Sequence, residues 1–119
     1  MPEQPEPSQP VHPLTFGELS VESDRAGDVH AIRLAGELDL AGAGRVEALL
    51  EEAEAGDARR IVLDLSGLTF MDSTGVRLVL AAHARSRMDS DRLVLLRGPV
   101  AVQRVFELSG VAETLPFVD

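Results

Sequence analysis

The sequence predicts a small α/β domain with a mixed sheet, its elements in the order β-β-α-β-α-β-α with room for a last strand. Two observations predict it. Short β-branched runs, IVLDL at 61–65 and LVLL at 93–96, alternate with longer stretches of helical periodicity. Ahead of them, two stretches of alternating apolar and polar residues flank the turn-rich DRAGD. Strands linked by helical crossovers run parallel, whereas strands linked by a tight turn run antiparallel, so the sheet is mixed. A chain of 119 residues holds one such domain and no second.

Residues 1–13, MPEQPEPSQPVHP, contain five of the seven prolines and almost nothing that could be buried, which predicts a disordered leader outside the fold. The domain is expected over residues 14–119. LTFGELSVES opens it as a strand with a bulge at Gly17, and a hairpin of residues 14–24 and 28–36 follows from the turn between them. In LAGAGRVEALLEEAEAG, Val46, Leu49, Leu50 and Ala53 recur at helical spacing with Glu47, Glu51, Glu52 and Glu54 opposite them, and Gly56 ends the helix. IVLDL is a buried strand. The helix after DSTG carries Val76, Val79, Leu80 and His83 on one stripe. After LVLL, Pro99 suits the first turn of a helix and Gly110 its end; residues 115–118 can add an edge strand.

Composition removes several functions. With 20 acidic and 11 basic residues the net charge is −9, which repels a phosphate backbone and argues against nucleic acid. There is no cysteine, hence no disulfide, thiolate metal site or thiol nucleophile, and the three histidines are too scattered for a metal site. No stretch approaches the roughly 20 apolar residues of a membrane span, and the N-terminus has no export signal, so the chain is expected to be soluble and cytoplasmic.

Two junctions between a strand and a helix draw attention, because helix N-termini in such folds present unpaired N–H groups and a partial positive charge. In GELDLAGAG, Gly42 and Gly44 match half of a dinucleotide loop, but Glu47 stands at the third glycine position and no Walker sequence exists anywhere. The bland reading is that these glycines serve the loop and Asp39 a turn or cap.

FMDSTG is richer. A helix cap needs one of Asp72, Ser73 and Thr74, and Gly75 would allow close packing. A nucleophilic Ser73 served by His83 fails on distance, because ten helical residues rise about 15 Å. The sequence excludes neither the plain cap nor His12 or His30 as that helper, although neither histidine sits at a recognisable junction. A third reading makes Ser73 a phosphoryl acceptor: its hydroxyl is exposed at a helix's first turn, where an anion is stabilised, and the added charge of about −1.5 to −2 falls beside Asp72 where a partner would dock. Leu78, with Ala82 and Arg85, lies on a different face from the Val76 stripe. It is either part of the docking surface or the flank of the core.

GELDL at 36–40 and IVLDLSGLTFMDSTG at 61–75 resemble the STAS domain of bacterial anti-sigma factor antagonists, and the likeness runs over residues 14–118. The resemblance implies a mixed sheet with helices mainly on one face. It also implies a partner that is both an anti-sigma factor and a serine kinase of the histidine-kinase-like ATPase class. That kinase phosphorylates the serine after the motif aspartate, here Ser73, and the modified antagonist releases it. A serine phosphatase of the metal-dependent class resets the switch. Asp39, Asp72, Thr74, Gly75 and Leu78 are then expected at the recognition surface, with no catalytic residue, cofactor or metal in this chain. Gly42 departs from the threonine common at that position of the family. The same domain occurs in stress-signalling and lipid-transport complexes as an interaction module, so that alternative stays open.

Overall fold

A computed structural model describes residues 18–118. The leader, Leu14, Phe16 and the bulge expected at Gly17 lie outside the described residues. Strand β1, Leu19–Ala26, pairs antiparallel with β2, Val29–Leu38, across a two-residue turn at Gly27 and Asp28. Helix α1, Leu40–Ala55, leads to β3, Arg60–Met71; α2, Ser73–Met88, leads to β4, Leu93–Leu96. Helix α3, Val100–Leu108, a 3₁₀ turn at Ala112–Thr114 and the two-residue β5, Phe117–Val118, complete the order.

The sheet reads β1-β2-β3-β4-β5, with β2 through β5 parallel. Each parallel neighbour is also the next strand in sequence. Right-handed crossovers in such an order stack every helix on one face. The alternation of the strands agrees: Ile61, Leu63 and Leu65 are buried toward the helices, while Val62 and Asp64 face the open side and are half-buried. The core beneath the helices is aliphatic, built on Ile32, Leu34, Leu38, Leu50, Leu63, Leu65, Leu68 and Leu95, with Phe106 the one fully buried ring among the described residues. Phe106 meets Phe117 edge to face at 5.2 Å between centroids, which fastens the last strand to α3.

The helix ends follow their residues. Ser109 caps α3, and Gly110, at φ +76°, gives the left-handed residue of a Schellman ending in which the Gly110 N–H donates to Glu107 O and the Val111 N–H to Phe106 O. Pro99 precedes α3 rather than lying inside its first turn. The expected strand at 61–65 is longer than its apolar run: β3 continues to Met71 because Gly67, Leu68, Phe70 and Met71 resume pairing with β2 after a register shift. That extension also carries β2 two residues past Gly36. Gly42 and Gly44 stand within α1 instead of a loop, and Gly42 is buried where an added Cβ would come within 2.8 Å of Leu19 Cδ2.

The surface reading of Leu78 is corrected. It is 4% exposed and belongs to the core together with Ala82, Val76 and Val79. Helix α2 lies between α1 and α3 and above β3 and β4, so it buries flanks as well as its underside. A single apolar stripe would have sufficed for a peripheral helix; a central one needs more.

Candidate functional site

Because β2, β3 and β4 run parallel, the helices that follow them all start at one end of the sheet. Asp39, Asp72 and Pro99 are the residues at those three starts. Asp39 Oδ1 accepts from Ala41 N at 3.0 Å and Asp72 Oδ1 from Thr74 N at 2.9 Å, each the side-chain cap of its helix. The loss of threonine at position 42 therefore leaves α1 capped. The Asp72 N–H donates to Leu38 O at 3.3 Å, which ties the head of α2 to the end of β2.

Ser73 is the first residue of α2 and is exposed. Thr74 and Asp72 beside it are half-buried. Gly75 is buried, and its role is packing: an added Cβ would fall 2.4 Å from Met71 Cγ, 2.6 Å from Met71 Sδ and 3.1 Å from Leu38 Cδ2. It lets the α2 head sit directly on the ends of β2 and β3 and offers nothing to a partner's surface. The predicted site residues thus separate. Asp39, Asp72, Ser73 and Thr74 gather at the accessible end, Gly75 holds them there from beneath, and Leu78 is in the core.

Three apolar side chains at the same end escaped the sequence reading. Leu40, first in α1, is 76% exposed; Val100, first in α3, is 74% exposed; Phe70, two residues before Asp72, is 47% exposed. A signal for two of them existed. Leu40 lies off the Ala43, Val46, Leu50, Ala53 stripe of its helix, and Val100 off the Val102, Phe106 pair of its own. A hydroxyl, capped carboxylates and exposed apolar groups make this end suited to binding a protein surface and to being altered by a new charge.

At the opposite end the charges are structural. Arg85 holds Glu54 through Nε and Nη2 at 3.0 Å, a contact that raises the guanidinium pKa above its usual value, and Arg92 donates to the carbonyls of Glu54, Gly56 and Ala58 where α1 ends. His83 is half-buried on α2, and its buried Nδ1 has no hydrogen-bond partner among the described residues. No helix among the described residues is long and apolar enough to cross a membrane.

A domain with this topology and this helix-head site is of the STAS class. The family model described as "Mlab, STAS domain" matches residues 21–118, and the chain belongs to that family. It is 37% identical over 81 residues to the anti-sigma F factor antagonist of Lysinibacillus sphaericus, covering 67% of this chain and 69% of that one. It is 30% identical over 98 residues to the anti-sigma-B factor antagonist of Listeria monocytogenes, covering 82% and 86%. Among solved structures it is similar to the anti-sigma factor antagonist SpoIIAA in its unphosphorylated form, with TM-score 0.71, 28% identity and coverage of 84% and 89%. SpoIIAA of Bacillus in its phosphorylated form gives TM-score 0.65 at 27% identity over 84% and 92%. The relatives are regulatory proteins.

Proposed function

We propose that this protein is an anti-sigma factor antagonist whose contact surface is switched at Ser73. The unphosphorylated chain binds an anti-sigma factor and so frees a sigma factor; the anti-sigma factor, acting as a serine kinase, phosphorylates Ser73 and lets go. A metal-dependent serine phosphatase restores the first state. The chain works in the cytoplasm as a substrate and not as an enzyme. The observation that carries this reading is the exposed Ser73 hydroxyl at the first position of α2, beside the Asp72 cap, in a chain similar to a protein solved with and without phosphate.

The physics of the switch is local. A phosphate on Ser73 meets the positive end of α2, so the fold accepts it. A partner that has just delivered the phosphoryl group presents nucleotide phosphates to the same spot, and like charges brought together without water cost several kcal/mol. Each 1.4 kcal/mol is a tenfold loss of affinity. Phosphoryl transfer itself needs a nucleotide cradle and Mg²⁺, which the kinase supplies.

Incubation with the anti-sigma factor kinases of the source genome and ATP, followed by intact mass and site mapping, tests the reading. One phosphate on Ser73, none on Ser73→Ala, is expected. Phosphate on another residue that persists in Ser73→Ala would overturn the site. A chain that acts only as an interaction module of a larger stress-signalling or lipid-transport complex would take no phosphate and would bring down the assembly's other subunits.

A further inference from the structure

Strand β3 is 12 residues long, yet β4 pairs with only Ile61–Asp64 of it. The chain leaves the sheet after Leu96, and at Gly98 it passes the last carbonyl it covers, where an added Cβ would lie 3.1 Å from Leu65 O. From Ser66 to Phe70 the side of β3 turned away from β2 has no strand beside it among the described residues. Ser66, Gly67, Thr69 and Phe70 are exposed, and no main-chain bond beyond the β2 ladder engages them among the described residues. The Ser66 N–H turns back to Asp64 Oδ1 at 2.9 Å. This bare edge spans about 17 Å and runs straight into Asp72 and Ser73.

An uncovered edge is a template for another strand. We infer that the β3 edge from Ser66 to Phe70 is a second docking element, which receives an extended segment of the anti-sigma factor by β-strand addition. The inference rests on the proposed function for the partner's identity. Phe70, 47% exposed at the Ser73 end, takes an apolar side chain of the segment. On the open face, Glu22, Asp24 and Asp64 outnumber Arg33 and Arg60 by one, so a cationic side chain fits beside Asp64, nine positions from Ser73 and clear of its phosphate.

Charge also removes the two occupants this chain could provide. Symmetric antiparallel pairing of two copies about Leu68 sets Asp64 of each against Asp72 of the other, and both copies carry a net charge of −9. Residues 1–17 contain Glu3 and Glu6 with no Lys or Arg, and five prolines that lack the N–H a ladder needs. A partner segment with main-chain donors and a cation meets neither obstacle.

Amide hydrogen exchange of the full chain, alone and with the purified anti-sigma factor, tests this directly. Exchange at Ser66–Phe70 is expected to slow at least tenfold in the complex, and Phe70→Ala to weaken binding about tenfold with its melting temperature little changed. Protection confined to the heads of α1 and α2, with binding and Ser73 phosphorylation intact, would overturn the edge and leave the proposed function standing. Absence of any binding would bring down both. Protection without partner would also overturn it: one that grows with concentration would mark a second copy, and one lost on deleting residues 1–13 would mark the leader.

Discussion

Asp39 and Asp72 perform the same task at the heads of two neighbouring helices: each carboxylate accepts the N–H of the residue two further on, at 3.0 and 2.9 Å. The Asp72 N–H in turn bonds Leu38 O, one residue before Asp39. The capping groups are thus part of one connected platform, and Ser73 stands on it. Each cap is worth about 1 kcal/mol. Asp39→Ala and Asp72→Ala are each expected to lower the melting temperature by about 4–8 °C for a domain of this size. Differential scanning calorimetry checks this. Only Asp72→Ala should also slow phosphorylation, because it loosens the backbone that presents the hydroxyl; equal slowing by both would show that the acidic surface matters more than the presentation of Ser73.

Much of this was legible beforehand, and the rest was hidden for identifiable reasons. Periodicity gave the body of α1 and its end at Gly56 because Val46, Leu50 and Ala53 face the core while Glu47, Glu51 and Glu52 face water, but its first turn was hidden because Gly42 and Gly44 read as loop residues. The head of α2 was legible because Asp72 is a good cap residue, which leaves Ser73 exposed at the first position of the helix. The continuation of β3 past Leu65 was not, since Ser66, Gly67 and Thr69 are polar or small, and only the pairing of Gly67, Leu68, Phe70 and Met71 with β2 makes the segment a strand. The burial of Leu78 was not legible either. It depends on neighbours on both sides of α2, which are tertiary facts.

Leu78 and Val100 form a matched test of core against surface. Leu78→Asp places a charge in a site that is 4% exposed and is expected to cost more than 4 kcal/mol, enough to unfold most of the population. Val100→Asp, at 74% exposed, is expected to change stability by less than about 0.5 kcal/mol. Urea denaturation measures both. Affinity for the anti-sigma factor should fall for Val100→Asp without unfolding; a variant that binds unchanged would remove Val100 from the contact surface.

Gly36 and Gly75 are irreplaceable for different reasons, and their alanine variants separate them. At Gly36 the backbone has φ +97° and an added Cβ would lie 2.6 Å from Glu18 O, a backbone atom that cannot turn aside. Gly36→Ala is expected to destabilise by about 3 kcal/mol. At Gly75 the obstruction is the Met71 side chain, which is flexible but 3% exposed, so overpacking of about 1–3 kcal/mol is expected. Met71→Ala combined with Gly75→Ala should recover part of the second loss and none of the first. Chemical denaturation of the single and double variants decides it.

A phosphate on Ser73 should move stability and affinity in opposite directions. Ser73 lies in the first turn of α2, where an added anion gains about 0.3–1 kcal/mol from the helix dipole. Phosphorylated protein is therefore expected to melt at the same temperature as the unmodified chain or a few degrees above it. Its Kd for the anti-sigma factor is expected to rise at least tenfold, because the new charge beside Asp72 must lose its water on binding. Ser73→Glu carries less charge and fewer acceptor oxygens, so its affinity should fall by a smaller factor. Salt sharpens the distinction: raising ionic strength should leave most of the loss in place, since the desolvated phosphate is screened far less than surface charges are. A phosphorylated chain that melted well below the unmodified one would mean that binding is lost by unfolding, and the switch would then lie in the fold and not at its surface.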